Sequence, residues 1–243
     1  MTLQEMIDHS SRIVFFGGAG VSTESGIADF RSADGLYRQQ YAWPPEQILS
    51  HTFFMQHTAE FYRFYRERMM PLEAQPNAAH LTLAALERAG KLSAVITQNI
   101  DGLHQKAGSE RVLELHGSIW RNRCMDCGKT YTAREIRDIQ RDIPLCSCGG
   151  VIKPDVVLYE EMLDKQVLKE AIEEISRADM LIVAGTSMTV YPAAGLVQYF
   201  AGKHLVLINR DVTPVDDMAE LVIRDRVGEV LSQLKVKGDG QPC

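Results

Sequence analysis

The chain has 243 residues, of which 45% are apolar and 24% are charged, and its formal net charge is −6 at pH 7. This balance predicts a globular protein of one large domain or one domain with a modest insertion. The negative net charge disfavours a nucleic-acid-binding protein, which usually carries a basic face. No run reaches the roughly eighteen apolar residues of a membrane helix, and residues 1–11 lack a signal-peptide pattern. We therefore expect a cytoplasmic protein with no membrane contact.

Short apolar runs alternate with helical patterns along most of the chain. Helices are predicted over residues 2–9, from the cap Asn77 to the stop Gly90, over 165–176, after Pro192 and over 229–234. Strands are predicted over residues 12–16, 93–97, 112–116, 180–184, 204–208 and 221–224. Strands that alternate with helices predict an α/β fold, with a parallel sheet covered by helices on both faces.

Two segments interrupt this alternation. Residues 32–76 are rich in aromatic side chains and are typical of a loop followed by a helix, with Pro44, Pro45 and Pro71 as breaks. Residues 119–154 contain most of the cysteines. We expect the two segments to leave the sheet and to form a smaller module together.

A glycine-rich loop, Gly18-Ala19-Gly20, directly follows the first predicted strand. Glycines at such a place let the backbone approach a phosphate beside a helix N-terminus. The third glycine of a GxGxxG fingerprint would fall at Thr23, and no strand that ends in an acid follows about twenty residues later. The pattern therefore disfavours a plain dehydrogenase. A plain phosphate loop also has no need of the triplet Asp29-Phe30-Arg31 after Gly26.

Small or hydrogen-bonding residues follow four of the predicted strands. They are Gly17-Gly18-Ala19-Gly20, Gln98-Asn99-Ile100-Asp101, Gly185-Thr186-Ser187 and Asn209-Arg210-Asp211. Turns are polar in any fold, but open α/β sheets bind their ligands at the carboxyl ends of the strands. Four such ends together predict a site for a polar, phosphate-bearing ligand.

Four of the five cysteines form two tight pairs, Cys124-x-x-Cys127 and Cys146-x-Cys148. This spacing is typical of a tetrahedral zinc site with four thiolate ligands. Four thiolates leave the metal no open position, so we expect the zinc to be structural. Free thiols around a metal also fit a reduced compartment better than a disulfide framework does. Cys243 lies outside the pattern.

His116 is the candidate general base. A lone histidine at a strand end is usually a packing or surface residue, but His116 shares the ligand edge of the predicted sheet with Asn99 and Asp101. An imidazole also titrates near neutral pH, as a general base requires. His104 is a weaker candidate and is more typical of a structural residue.

The motifs follow one another over about residues 12–227. In order they are Gly18-Ala19-Gly20-Val21-Ser22, Ser25-Gly26-Ile27, Asp29-Phe30-Arg31, Thr97-Gln98-Asn99-Ile100-Asp101, Leu115-His116-Gly117, the four cysteines, Gly185-Thr186-Ser187 and Asn209. With this set the chain resembles the sirtuin family of NAD-dependent protein deacylases. Its compact length is similar to that of bacterial members.

The resemblance implies a Rossmann-type NAD-binding domain built from residues 1–31, 77–118 and 155–243. It implies a small domain made of a helical module, residues 32–76, and a zinc ribbon, residues 119–154. NAD and an acyl-lysine peptide would enter the cleft between them. Residues 153–161 and 186–191 would flank the peptide as two strands and pair with its extended backbone. We expect a monomer with no direct contact to nucleic acid.

The resemblance also implies the roles of individual residues. His116, Asn99 and Asp101 would be catalytic, with His116 deprotonating a ribose hydroxyl. The residues expected to bind NAD are Gly18, Ala19, Gly20, Thr23, Asp29, Phe30, Arg31, Gln98, Asn99, Ile100, Asp101, His116, Gly185, Thr186, Ser187, Asn209 and Arg226. NAD would be consumed as a co-substrate, and the products would be nicotinamide, free lysine and O-acyl-ADP-ribose.

Several positions depart from the common family pattern. Gly17 replaces a threonine, Ala28 replaces a proline, and Tyr159-Glu160-Glu161 stands where many members have Phe-Gly-Glu. Members that remove acidic acyl groups carry Tyr-x-x-Arg in the small-domain helix. Here Tyr65 follows Tyr62 at that spacing, and a Tyr65-x-x-Arg68 pair falls one turn later. We therefore expect short neutral acyl groups, acetyl first.

Three other functions are alternatives to deacetylation. ADP-ribosyl transfer or simple NAD hydrolysis would use the same scaffold. A non-catalytic sensor of NAD or ADP-ribose would not need Asn99, Asp101 and His116 together. A zinc-ribbon nucleic-acid module would need a basic patch, which the sequence lacks.

Overall fold

A computed structural model describes residues 1–30, 35 and 41–236 of the chain. In chain order, its strands are β1 Ile13–Gly17, β2 Leu92–Thr97, β3 Val112–Glu114, β4 Gly117–Cys124, β5 Thr130–Thr132, β6 Ile152–Val156, β7 Met180–Ala184, β8 His204–Ile208 and β9 Leu221–Ile223. None of the helices in these residues has both the length and the apolar character needed to cross a membrane.

The α-helices are short, and side-chain caps fix where several of them begin. They are α1 Leu3–His9, α2 Pro45–Ile48, α3 His51–Gln56, α4 Thr58–Phe64, α5 Ala78–Arg88, α6 Leu103–Lys106, α7 Ala133–Asp138, α8 Lys165–Arg177 and α9 Val227–Ser232. Thr2 caps α1 and Asn77 caps α5, each within a capping box. A π-helical turn, Tyr65–Met69, continues α4. Ala19–Val21, Thr23–Ser25 and Ala193–Tyr199 are 3₁₀ segments.

The main sheet has six strands in the order β3-β2-β1-β7-β8-β9, and all of its pairings are parallel. Every residue of β1, β7 and β8 is buried, because a parallel sheet is covered on both faces. The direction of progression along the sheet reverses between β1 and β7. This is the strand order of dinucleotide-binding sheets, and ligands bind where the order reverses.

Apolar clusters cover the two faces of this sheet. Ile13 and Phe15 of β1 pack in a cluster with α1, α5 and α9. Val14 and Phe16 pack on the other face, in a cluster with α8 and Ala193–Tyr199. The alternation along β1 sends successive side chains to opposite faces. The predicted α/β sheet with helices on both faces is therefore confirmed.

A third cluster joins the two segments that interrupt the alternation. It combines residues of α2, α3 and α4 with residues of β4, β6 and α7. Its centre is aromatic: the Phe54 and Phe61 ring centroids lie 4.9 Å apart, and Phe61 stacks on Tyr65 at 5.5 Å. The antiparallel sheet β5-β4-β6 forms one side of this cluster.

Several element boundaries differ from the predictions. Strand β3 ends at Glu114, so His116 lies in the turn before β4 rather than on a strand. Helix α9 begins at Val227, two residues earlier than predicted. The peptide-flanking stretch 153–161 is a strand only as far as Val156, and residues 186–191 form no strand. Turn residues carry no apolar period, so the sequence defines these ends poorly.

Candidate active site

A cleft of about 350 Å³ lies at the carboxyl ends of β1, β2, β7 and β8. All but one of the predicted catalytic and NAD-binding residues line it: Gly18, Ala19, Gly20, Thr23, Asp29, Phe30, Gln98, Asn99, Ile100, Asp101, His116, Gly185, Thr186, Ser187, Asn209 and Arg226. The exception, Arg31, lies outside the described residues. The fold thus brings together residues that are up to about 200 positions apart, as expected for a site at a switch point.

The glycine-rich loop packs tightly against the turn after β7. A Cβ on Gly18 would lie 2.9 Å from the Gly185 carbonyl oxygen, and a Cβ on Gly20 would lie 2.8 Å from the Gly185 Cα. The Gly20 N–H donates to the Gly185 carbonyl at 2.8 Å. The glycines are therefore needed for packing between two strand ends, in addition to any approach to a phosphate.

Hydrogen bonds from three parts of the fold hold this loop in place. The Thr23 hydroxyl donates to the Gly20 carbonyl at 3.0 Å. The Asn77 amide, at the start of α5, donates to the Val21 carbonyl at 2.8 Å. The Gly228 N–H of α9 donates to the Glu24 carboxylate at 2.6 Å. These three hydrogen bonds fix the conformation of the glycine-rich loop.

Ser22 connects the two catalytic candidates that follow β2. Its hydroxyl donates to Asp101 Oδ2 at 2.7 Å and accepts from Asn99 Nδ2 at 3.1 Å. Burial raises the Asp101 pKa, while the hydrogen bonds from the Leu103 N–H and Ser22 oppose that shift. Ser22 is a site residue that the sequence does not predict, because nothing in its spacing connects it to residues almost eighty positions later.

Trp120 fixes the backbone at the same place. Its indole N–H donates to the Asp101 carbonyl at 2.7 Å. Gly102 has φ +71°, and a Cβ there would lie 2.6 Å from the Trp120 indole nitrogen. Both the positive φ and the close indole therefore require glycine directly after Asp101.

Gln98 joins three strand ends. Its backbone N–H donates to the Gly17 carbonyl at 2.9 Å, and its side-chain amide donates to the Thr186 hydroxyl at 2.9 Å. Its carbonyl accepts from His116 Nδ1 at 2.9 Å. The polar groups at the ends of β1, β2 and β7 thus form one connected network.

The contact with Gln98 determines the tautomer of His116. A carbonyl oxygen only accepts, so Nδ1 carries the hydrogen and Nε2 of the neutral ring has the free lone pair. Burial lowers the His116 pKa, and the hydrogen bond to Gln98 opposes that shift. The ring is therefore neutral at pH 7 and can accept a proton at Nε2, as a general base must.

One end of the cleft is apolar. Its lining there comes from the aromatic cluster around α2–α4 and β6: Phe30, Leu49, Met69, Ile100, Val156 and Leu158. Arg68 also lines the cleft, with its guanidinium 5.8 Å from the centre of the Tyr41 ring. Tyr62 and Tyr65 are buried in the cluster, and the Tyr62 hydroxyl donates to the Ile152 carbonyl. Of the three residues considered for acyl preference, only Arg68 borders the cleft.

The opposite end of the cleft is polar and more exposed. The Ser187 hydroxyl shares a hydrogen bond of 2.8 Å with Thr189. The Asn209 amide donates to the Asp211 carbonyl at 2.9 Å. Arg210 lies 4.0 Å from the Asp29 carboxylate, which places a charge pair between the β8 end and the glycine-rich loop.

The four predicted cysteine ligands come together at one end of the small sheet. The sulfur atoms of Cys124, Cys127, Cys146 and Cys148 all lie within 4.8 Å of one another. The Sγ–Sγ distances are 3.5 Å for Cys124–Cys148 and 3.6 Å for Cys127–Cys146. A tetrahedral site with Zn–S bonds of about 2.3 Å requires Sγ–Sγ distances of roughly 3.8 Å. The residues therefore fit a four-thiolate zinc site.

Comparisons with known proteins agree with this geometry. The Sir2 family profile matches residues 18–192. An NAD-dependent protein deacetylase of Clostridium acetobutylicum is 57% identical over 232 residues, which cover 94% of this chain and 95% of the relative. One of Clostridium perfringens is 54% identical, and the match covers 96% of each chain.

Solved structures give the same result. A Sir2 structure with deacetylated p53 peptide and 3'-O-acetyl ADP ribose has a TM-score of 0.88 and 42% identity, and the match covers 94% of both chains. A Sir2–p53 peptide–NAD⁺ structure has a TM-score of 0.85 and 43% identity, over 95% of this chain and 96% of the other. With a matching family profile and relatives this similar over almost their whole length, the chain belongs to the Sir2 family, the sirtuins.

Proposed function

We propose that this chain is an NAD-dependent protein-lysine deacetylase. The observation that carries the proposal is His116, whose Nδ1 is fixed on the Gln98 carbonyl while its ring lines the same cleft as Asn99 and Asp101. A protein that only bound NAD would not need a neutral imidazole oriented in this way. The curated relatives named NAD-dependent protein deacetylase support the same function.

The overall reaction consumes NAD, an acetyl-lysine and one water, and it gives nicotinamide, free lysine and O-acetyl-ADP-ribose; the water releases the lysine from the intermediate formed after nicotinamide has left. His116 accepts the proton of a ribose hydroxyl at Nε2 after the acyl oxygen has displaced nicotinamide. Asn99 and Asp101, joined through Ser22, orient the ribose and the nicotinamide. Phe30 covers the reacting sugar and excludes water until the lysine arrives.

We assign the rest of the cleft to the remaining parts of NAD. We assign Gly18, Ala19, Gly20 and Thr23 to the pyrophosphate. Arg31, which lies outside the described residues, keeps the same role from the sequence alone. Gln98 and Ile100 contact the nicotinamide half, and Asp29 lies at the edge of that pocket. The residues assigned to the adenosine half are Gly185, Thr186, Ser187, Asn209 and Arg226. The support is the arrangement of these groups around a strand-order reversal, the general place for a dinucleotide.

The acyl-lysine enters from the apolar end. Its peptide backbone lies extended between residues 153–161 and 186–191 and pairs with them as a strand does. The apolar lining from Leu49, Met69 and Val156 suits an acetyl or another short neutral group. Solved Sir2 structures with acetylated and propionylated peptides support this substrate class.

The four cysteines would hold one Zn²⁺ with no open coordination position, so the metal supplies structure rather than chemistry. We infer a division into an NAD-binding domain, residues 1–31, 77–118 and 155–243, and a small domain, residues 32–76 and 119–154. The shared aromatic cluster of α2–α4 and the small sheet supports it. We propose a monomeric cytoplasmic enzyme, and the net charge of −6 supports the part of this proposal that it does not bind nucleic acid.

The test is an assay of the purified protein with NAD and an acetyl-lysine peptide. We expect nicotinamide and free lysine to form in a one-to-one ratio, and neither to form without NAD. Nicotinamide release that the acetyl peptide does not accelerate would overturn the proposal and would indicate NAD hydrolysis or ADP-ribosyl transfer. The same assay with a succinyl peptide tests the acyl preference, since turnover above that of the acetyl peptide would contradict the preference for short neutral acyl groups.

A further inference from the structure

Residues 158–161 form the turn that follows β6 and borders the cleft. Glu160 in this turn has φ +75°, and Met188, a buried residue after β7, has φ +54°; no other non-glycine residue in the described part of the chain has a positive φ. L-residues rarely adopt this conformation, so a contact elsewhere must stabilise it. The sequence has no glycine at this turn, so a side-chain contact must keep Glu160 at its positive φ.

Thr52, the second residue of α3, supplies that contact. Its backbone N–H donates to Glu160 Oε2 at 2.9 Å, and its hydroxyl donates to the same oxygen at 2.7 Å. These two hydrogen bonds lower the Glu160 pKa, so the carboxylate is ionised at neutral pH. Both donors of one residue therefore fix one side chain.

Backbone pairing extends the same attachment. The Tyr159 N–H donates to the Leu49 carbonyl at 2.9 Å, and the His51 N–H donates to the Tyr159 carbonyl at 3.0 Å. The turn is thus paired with residues 49–51, which lead into α3. Glu160 closes this pairing at its far end, where the next N–H group is that of Thr52.

Glu161 attaches the other side of the turn. One of its carboxylate oxygens accepts from the Leu158 N–H at 2.9 Å and from the Lys153 ammonium at 3.0 Å. The other oxygen lies 2.9 Å from His51 Nδ1. The turn is therefore fixed from both sides, and Tyr159, Glu160 and Glu161 all line the cleft.

We propose that Glu160 and Thr52 form a clasp that positions the substrate-binding edge of the cleft. The inference rests on the proposed function, in which the acyl-lysine peptide pairs with residues 153–161. Glu160 is a positioning residue: through Thr52 it keeps the turn in the conformation that a peptide backbone can pair with. Loss of the clasp lets the turn relax, and the peptide must then reorder it on binding.

The experiment compares steady-state kinetics of the zinc-loaded full chain, with acetyl-lysine peptide and NAD varied separately. We expect E160A to raise the peptide KM about fivefold, because an exposed charged contact has an effect of this size. The turnover number and the NAD KM should change by less than about twofold, since the NAD contacts are elsewhere. E160G should raise the peptide KM less than E160A, because glycine adopts the positive φ freely.

Thr52 gives an independent test. T52V removes the hydroxyl and keeps the shape, so the peptide KM should rise about twofold. The double variant E160A/T52V should match E160A alone, because both changes break one contact. Additive effects of the two substitutions would contradict the clasp.

The chain offers a matched control in Glu135, which accepts from the N–H of Thr132 at 2.7 Å and from its hydroxyl at 2.8 Å, away from the cleft. E135A should leave the peptide KM unchanged. The inference would be overturned if E160A and E135A had the same peptide KM, or if E160A lowered only the turnover number. In either case an active wild type would still support the proposed function. A wild type without NAD-dependent deacetylation would overturn the function itself.

Discussion

His116 differs from the buried histidines His80 and His104 in the partner of its ring. Its Nδ1 donates to the Gln98 carbonyl and the ring lines the cleft. His104 has no partner on either ring nitrogen, and His80 uses Nδ1 to accept the Asn77 N–H. Of these three histidines, His116 is the one whose oriented ring lines the cleft, which supports its assignment as base over His104.

Replacing His116 with alanine should leave NAD binding within about twofold and lower deacetylation by about 10²–10⁴-fold, the usual contribution of a general base. NAD binding is measured by calorimetry and turnover by lysine release. His9→Ala, an exposed change on α1, is the control and should keep full activity. Near-normal turnover of His116→Ala would show that another group accepts the proton.

The pH profile gives a second readout of the same residue. Burial lowers the His116 pKa below 6.5, and only the neutral ring accepts a proton. The acid limb of kcat/KM should therefore have an apparent pKa below 6.5, and activity should persist at pH 6.5. An acid limb centred above pH 7 would contradict the lowered pKa.

Some roles at this scale were visible in the sequence and others were not. Gln98, Asn99, Asp101 and His116 follow apolar strands, so their place at the ligand edge could be predicted. The Ser22 bridge depends on a contact 77 residues away with Asn99, and no local pattern predicts such a pair.

Among the elements, the zinc ribbon allows the least change in the side chains that surround its metal ligands. Tyr131 of β5 donates its hydroxyl to Cys146 Sγ at 3.1 Å, and a Cβ on Gly150 would lie 2.8 Å from Cys124 Sγ. The knuckles therefore have little room to rearrange without the metal. Outer hydrogen bonds of this kind orient metal ligands.

Cys124→Ser should lose the zinc and destabilise the ribbon, because structural zinc sites contribute directly to folding. Metal analysis should give well below one zinc per chain, and the Tm should fall. Cys243→Ser is the matched control, since this fifth cysteine stands outside the two pairs. A Cys124→Ser protein with full zinc and an unchanged Tm would refute the ligand set.

Elements of the main sheet were predictable because each is a continuous apolar run between polar turns. Met180–Ala184 and His204–Ile208 have the predicted bounds. The small sheet was not predicted strand by strand, since Thr130–Thr132 is short and polar and β4 alternates irregularly. Tertiary contacts rather than local pattern define such strands.

At the scale of the whole molecule, the order of the six strands explains where the site lies. The order in which successive strands join the parallel sheet reverses between β1 and β7, and this opens the crevice that the glycine-rich loop and Gly185 border. The aromatic cluster closes the other side through Phe30 and Ile100. Sequence patterns could suggest the strands and the loop, but the reversal depends on which strands pair.

The stability of the whole chain should depend on two buried histidines behind this crevice. His80 of α5 and His104 of α6 have ring centroids 4.7 Å apart, and their exposed fractions are 0% and 1%. Burial lowers the His80 pKa to about 4. Burial, and then the charge of His80, lower the His104 pKa as well. Below pH 6.5 the unfolded chain thus binds protons that the folded chain excludes.

Stability should therefore fall as pH decreases from 6.5 towards 4. For His80 alone, the lowered pKa costs about 2 kcal/mol of unfolding free energy at pH 5 relative to pH 8. His80→Gln removes this titration and keeps an acceptor at the capping-box position. Urea unfolding at both pH values should show a smaller acid loss for His80→Gln than for the wild type. The exposed change His9→Gln is the control, and an acid loss equal in all three proteins would show that His80 does not couple folding to pH.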